Sequence, residues 1–164
     1  GLAPAVSRAS ARATIARWER RWPVSIFVDT GAWYAVADRS DRQHAPASHF
    51  YLERAPAGEF VTSSLVLTET WALVAAHLGR PAALALWESL RDLRVPILPC
   101  DPANLEAAWR IAQAFPDQDF SFTDCTSFAI MERHGIDEAF AFDGHFLVYR
   151  YGSNRRRAFR RYPQ

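Results

Sequence analysis

The sequence contains no lysine, little cysteine and no long apolar run, and each shortage narrows the class of protein. All 19 basic residues are arginine, a bias that fits gene composition as well as phosphate contact. Cys100 and Cys125 are too few for a disulfide framework, so we expect a reducing, cytoplasmic setting. No segment approaches the roughly 18 apolar residues of a membrane span, and we therefore expect no membrane association.

The composition is that of one folded domain. The chain has 164 residues, 49% of them hydrophobic, and a formal charge of only +1, so there is no strong overall field to attract a polyanion. We place the domain at residues 23–150. Residues 1–22 are expected to be an extension, either helical or added to the native chain, and residues 151–164 form an arginine-rich tail.

Short β-rich apolar runs alternate with longer helical patterns from Pro23 onward. Strands separated by helices favour right-handed crossovers and a mostly parallel sheet. The predicted fold class is therefore α/β, a three-layer α/β/α sandwich with about five strands. The strand candidates are 24–29, 59–63, 95–99, 138–142 and 146–150. The helix candidates are 31–38, 43–56, 64–79, 81–93, 102–114 and 124–134.

Two aspartates follow predicted strands at the sheet edge where parallel folds bind ligands. Asp29 ends the first strand, and Asp143 follows the strand 138–142. Both have alternatives, since Asp29 could simply cap a helix and Asp143-Gly144 is also a strong hairpin signal. The two carboxylates lie close together only if both strands end at the same edge of the sheet.

Two further acids lie on predicted helices. Glu69 has apolar neighbours at three- and four-residue spacing, which makes an unpaired charge costly there; the alternatives are an arginine partner or a bound cation. Asp124 lies three residues after Ser121, the spacing of a capping box. Thr30 and Thr123, each beside one of the aspartates, could orient a carboxylate or cap a helix.

Four carboxylates at one edge repel each other unless a proton or a cation neutralises them. Oxygen ligands without a histidine or cysteine cluster favour Mg²⁺ or Mn²⁺. Such a site is suited to phosphodiester hydrolysis by metal-activated water. We assign no catalytic role to His44, which is expected to pack or to cap a helix start, or to His145, which follows a turn.

The ordered motifs resemble the PIN domain family and, within it, the VapC-type toxins. They are "FVDTGAWYAVAD", "DRQHAPA", "TSSLVLTETWALV", "DFSFTDCTSFAIMERHGI" and "AFAFDGHF", which together span about residues 24–150. The resemblance implies a metal-dependent endoribonuclease whose acidic quartet maps onto Asp29, Glu69, Asp124 and Asp143, with Asp119 as a possible fifth acid. It also implies an RNA substrate, a small antitoxin and a homodimer. The alternatives are an RNA-processing nuclease without antitoxin and a non-catalytic RNA-binding or scaffold protein.

The arginine-rich tail has two readings. Arg155, Arg156 and Arg157, with aromatic residues interleaved nearby, could hold RNA phosphates and stack on a base. The alternative is a solvated tail with no ligand.

Overall fold

The computed structural model describes residues 25–163, so the extension predicted at residues 1–22 lies outside the described residues. None of the helices in this range is long and apolar enough to cross a membrane. The strands are β1 (Ile26–Val28), β2 (Phe60–Ser63), β3 (Ile97–Leu98), β4 (Glu138–Phe140) and β5 (Arg160–Tyr162). The helices are α1 (Thr30–Ala37), α2 (His44–Arg54), α3 (Ser64–Leu78), α4 (Arg80–Asp92), α5 (Pro102–Ala114), α6 (Phe122–His134) and α7 (His145–Val148), and a 3₁₀ turn lies at Ala55–Ala57.

All five strands pair in parallel, in the order β3-β2-β1-β4-β5. Every residue of β1 and β2 is buried, as expected for strands that helices cover on both faces. The predicted three-layer sandwich with a parallel sheet is confirmed. Its apolar residues form one core that the helices share with the sheet.

The strand order reverses between β1 and β4. From β1 the chain moves outward to β2 and β3, then returns to the other side of β1 as β4. In parallel sheets this reversal opens a crevice at the carboxyl ends of the strands. The N–H of Asp29 donates to the carbonyl of Phe140 at 3.0 Å, so the segments that leave β1 and β4 begin side by side.

The helix predictions agree with the structure to within about two residues because their end signals are local. Ser63 Oγ accepts the Val66 N–H at the start of α3, at 3.2 Å. Asp101 accepts the Asn104 N–H at the start of α5, at 2.9 Å. Gly135 ends α6 with a φ of 65°, in the left-handed region that glycine adopts without steric cost.

The strand predicted at 146–150 is wrong. Residues His145–Val148 form the short helix α7, and Asp143-Gly144 does not close a hairpin. The Asp143 carboxylate accepts the His145 N–H at 2.9 Å, and the Gly144 carbonyl accepts the N–H groups of Leu147 and Val148. A short apolar run does not distinguish strand from helix by itself, and here the local hydrogen bonds favour the helical turn.

The fifth strand instead comes from the segment predicted as a tail. β5 pairs with β4, and Glu138 lies opposite Arg160, with which it forms an ion pair at 2.6 Å. Just before β5, Phe159 is only 2% exposed and stacks on Tyr151 with a centroid separation of 4.5 Å. The sheet and the core therefore extend beyond residue 150.

Replacing Phe159 with alanine should lower the free energy of unfolding by about 3–5 kcal/mol, because it removes a buried aromatic side chain. The matched control is Arg156→Ala, at an exposed position of the same segment, which should change stability by less than about 0.5 kcal/mol. Urea unfolding followed by circular dichroism measures both. Equal stability of the two variants would show that the segment contributes nothing to the core.

Candidate metal centre

Three aspartates reach the crevice from three different elements. Asp29 follows β1 and caps α1, Asp124 lies in the first turn of α6, and Asp143 follows β4. Asp29 and Asp124 are almost fully buried, at 5% and 6% exposure, while Asp143 is half-buried. The parallel pairing of β1 and β4 therefore brings Asp29 and Asp143 to the same edge of the sheet, as expected from the sequence.

Asp124 forms the predicted capping box. Its Oδ2 accepts the N–H of Ser121 at 2.8 Å, and its own N–H donates to Ser121 Oγ at 3.0 Å. This pair satisfies two backbone groups at the start of α6 and fixes the position of the carboxylate. Capping does not use Oδ1, so one oxygen of Asp124 remains available to a ligand.

In the other two aspartates, too, one carboxylate oxygen accepts a backbone hydrogen bond and the other remains available. Asp29 Oδ2 accepts the Gly31 N–H at 3.3 Å, and Asp143 Oδ1 accepts the His145 N–H at 2.9 Å. Within residues 25–163, the second oxygen of each carboxylate accepts no hydrogen bond of standard geometry. Backbone amides thus orient three carboxylates, each with an unpaired oxygen, and this donor set fits a hard divalent cation.

The carboxylates perturb each other strongly. Burial, together with the charges of Asp143 and Asp124, raises the pKa of Asp29 from 3.8 to about 8. Burial and the charge of Asp124 also raise the pKa of Asp143. Since each ionised form is unfavourable without a counter-charge, a cation at this position would relieve both desolvation and repulsion.

Glu69 lies beside the aspartates, but its environment differs from the one predicted. The buried face of α3 consists of Val66, Thr70 and Val74, and Glu69 lies beside that face and is exposed. The expected burial on an apolar stripe is therefore wrong. Ion pairs within residues 25–163 do not include Glu69, so the alternative of an arginine partner has no support in the part of the chain that is described.

Two threonine hydroxyls hold Glu69 instead. Thr30 Oγ1 donates to Glu69 Oε2 at 2.5 Å, and Thr123 Oγ1 donates to Oε1 at 3.2 Å. These threonines immediately follow Asp29 and precede Asp124 in the chain, so the glutamate lies beside the aspartates. The two predicted supporting residues contact the glutamate, and their hydroxyls form no hydrogen bond with the neighbouring aspartates in residues 25–163.

His145, to which no catalytic role was assigned from the sequence, lies among these carboxylates. Its Nδ1 lies 3.0 Å from Asp124 Oδ2 and 4.0 Å from Asp143 Oδ1, and its ring packs edge-on against Phe120 with centroids 5.3 Å apart. One ligand atom from each of Asp124, Asp143 and His145 lies within 4.8 Å of the others. The feature of the sequence that could have identified His145 is its position two residues after an aspartate that follows a predicted strand.

The remaining predicted residues lie outside this cluster. Asp119 is exposed in the loop before α6, and no hydrogen bond within residues 25–163 involves its side chain. Arg157 donates two hydrogen bonds to Asp137, at 2.9 and 3.0 Å, and lies over the ring of Tyr151. Arg155 lies over the ring of Phe115, and Arg156 is exposed.

Comparison with known proteins identifies one matching family and similar proteins within it. Residues 26–150 match the family profile described as "PIN domain". The chain is 38% identical to the 23S rRNA-specific endonuclease VapC20 of Mycobacterium tuberculosis over 122 residues, which cover 74% of this chain and 91% of the relative. It is 29% identical to ribonuclease VapC26 of the same organism over 126 residues, which cover 76% and 92%.

A solved structure agrees with these matches. The crystal structure of Mycobacterium tuberculosis VapC20, described as a sarcin–ricin loop cleaving toxin, aligns with a TM-score of 0.68 and 35% identity. The alignment covers 73% of this chain and 91% of that chain.

The raised pKa of Asp29 predicts how the metal-free protein responds to pH. Asp29 ionises near 3.8 when unfolded and near 8 when folded, so between these values the unfolded state binds fewer protons and stability falls as pH rises. Asp29→Asn removes this loss. In chelator at pH 8.5 the variant should exceed the parent in stability by on the order of a few kcal/mol, with a much smaller difference at pH 4.

Thermal and urea unfolding from pH 4 to pH 8.5 measure the effect. The matched control is Asp117→Asn, an exposed aspartate in the loop between α5 and α6, whose stability curve should parallel that of the parent. If Asp29→Asn also gives a curve parallel to the parent, the carboxylates do not repel each other as described.

Proposed function

The chain belongs to the PIN domain family, and from this membership we propose that it is an endoribonuclease that hydrolyses RNA phosphodiester bonds with Mg²⁺ or Mn²⁺. The observation that supports the proposal most is the convergence of Asp29, Asp124 and Asp143, each with an oxygen that accepts no hydrogen bond of standard geometry within residues 25–163. Their mutual destabilisation in the ion-free state is typical of charges retained for a ligand.

The acidic quartet divides between two tasks in this proposal. Asp29, Asp124 and Asp143 would hold the ion through their carboxylate oxygens. When bound, the ion supplies activation of water and neutralisation of the phosphate charge. Glu69, held by Thr30 and Thr123 and open to solvent, would orient the attacking water or accept its proton. Thr30 and Thr123 are positioning residues that act through the glutamate.

The names of the relatives suggest a specific substrate. VapC20 is called a 23S rRNA-specific endonuclease and a sarcin–ricin loop cleaving toxin. The 38% identity and the shared fold lead us to propose that this chain also cleaves 23S rRNA in that loop, as the toxin of a toxin–antitoxin pair. Primer extension on 23S rRNA tests the substrate, and co-purification with the product of a small neighbouring gene tests the antitoxin.

Self-association is also part of the proposal, through the exposed apolar face of α5 and not through Trp71 on α3 or Trp87 on α4. Trp71 and Trp87 are half-buried, and Trp87 packs against the core. Leu105 and Trp109, four residues apart on α5, are 40% and 55% exposed. We propose a homodimer that covers this apolar face, which light scattering at micromolar concentration would show as twice the monomer mass.

Asp124→Asn should abolish metal-dependent cleavage while the protein remains folded. The asparagine oxygen can still accept the Ser121 N–H and cap α6, but it is a neutral and weaker ligand for Mg²⁺ or Mn²⁺. The parent should gain about 2.7 kcal/mol of stability at a metal concentration a hundredfold above its dissociation constant, and the variant should lose most of that gain.

The assay uses a sarcin–ricin loop RNA with each ion, and the control is Asp117→Asn. Cleavage at the parent's rate by Asp124→Asn would rule out the proposed centre. Two alternatives make different predictions: metal binding without cleavage favours a scaffold protein, whereas cleavage of precursor RNAs with 23S rRNA intact favours an RNA-processing nuclease.

The arginines of the 151–164 segment should divide into two kinds. Arg155 shares a surface pocket with Arg110 and Arg150, and Arg156 makes no ion pair within residues 25–163, so both can reach RNA phosphates. Arg155→Ala with Arg156→Ala should reduce the slope of log affinity against log salt by roughly 0.7 per lost contact.

Arg157→Ala is the matched comparison, because its guanidinium is already engaged by Asp137 and Tyr151. It should leave the salt slope unchanged. Fluorescence anisotropy with a catalytically inactive background measures RNA affinity across salt concentrations. An unchanged slope in the Arg155/Arg156 variant would show that this segment does not contact phosphate.

A further inference from the structure

We infer that His145 is a metal ligand in this centre and that it makes the centre favour Mn²⁺ over Mg²⁺. The inference rests on the proposed metal-dependent function and adds to it a residue that sets the choice of ion. Its basis is the position of the imidazole among the carboxylates, where Nδ1 faces Asp124 at 3.0 Å and Asp143 at 4.0 Å.

These separations, to Asp124 Oδ2 and Asp143 Oδ1, lie in the range found between ligands of one ion, and the ion would replace the hydrogen bond between Nδ1 and Asp124 Oδ2. Two donors at right angles on bonds of about 2.1 Å lie roughly 3.0 Å apart, and opposite donors lie roughly 4.2 Å apart. Nδ1 of His145 fits a position beside Asp124, and all three candidate ligand atoms lie within 4.8 Å of each other. An ion could therefore contact all three without a large movement of the chain.

The surroundings hold the imidazole in this place. Its ring packs edge-on against Phe120, and its own backbone N–H donates to the Asp143 carboxylate. The side chain is 32% exposed, so the ring is open to an ion that approaches from solvent. An ion that binds Nδ1 would take the place of the hydrogen that Nδ1 donates to Asp124, and the ring would keep its hydrogen on Nε2.

The chemistry of the donor set then discriminates between ions. Mg²⁺ binds oxygen ligands and keeps much of its water, and imidazole is a poor partner for it. A first-row transition ion accepts nitrogen and oxygen donors together, and carboxylate-rich octahedral sites suit Mn²⁺. A centre of three aspartates and one imidazole should therefore bind Mn²⁺ more tightly than Mg²⁺.

His145→Asn tests this directly, since its amide can still donate to Asp124 but is a much weaker ligand. Calorimetric titration without RNA should show at least about a tenfold loss of Mn²⁺ affinity, and little change for Mg²⁺. His49→Asn, at an exposed histidine of α2, should leave both affinities unchanged. Equal Mn²⁺ affinity in His145→Asn and the parent would overturn the inference and assign His145 only to holding Asp124.

Pulsed electron paramagnetic resonance on the parent gives a second readout that needs no variant. The bound Mn²⁺ should show coupling to a ligand nitrogen, and this signal should change when histidine is labelled with ¹⁵N. Bound Mn²⁺ without nitrogen coupling would refute ligation by His145 while leaving the proposed nuclease intact. If neither ion binds the parent, the proposed function and this inference both fail.

Discussion

The repulsion among three aspartates at the strand reversal is the constraint on which the rest of the centre depends. Asp29, Asp124 and Asp143 approach closely enough that burial and their charges raise the pKa of two of them. Backbone amides from the starts of helices and turns hold one oxygen of each carboxylate in place. The fold therefore uses helix-capping geometry, which is stable by itself, to maintain an arrangement of charges that is not.

The parallel sheet provides the meeting point, and the sequence predicted it well. Alternating apolar strands and amphipathic helices constrain the topology strongly, and helix ends carry local signals such as the Ser121 and Asp124 pair. All strands of a parallel sheet have their carboxyl ends at the same edge. Asp29 and Asp143 could therefore be predicted to lie together from the sequence. The capping role of Asp124 followed from spacing alone.

The features that the sequence did not predict depend on contacts between distant segments. The apolar spacing around Glu69 suggested burial, but the rotation of α3 against the sheet buries Val66, Thr70 and Val74 instead. His145 looked like a residue after a turn until α7 brought its ring to Asp124. β5 was missed because its three residues include two arginines and do not form an apolar run. The buried Phe159 just before it is the main apolar residue that could have indicated the strand.

The proton held by Asp29 has a consequence for how ions enter the centre. Burial and the neighbouring charges raise the pKa of Asp29 to about 8, which favours its protonated form near neutral pH, and an ion that bound the carboxylate would displace that proton. Ion uptake would then be an exchange reaction, and its apparent heat in calorimetry would depend on the ionisation enthalpy of the buffer. Comparison of phosphate-free buffers with different ionisation enthalpies would count the protons released per ion.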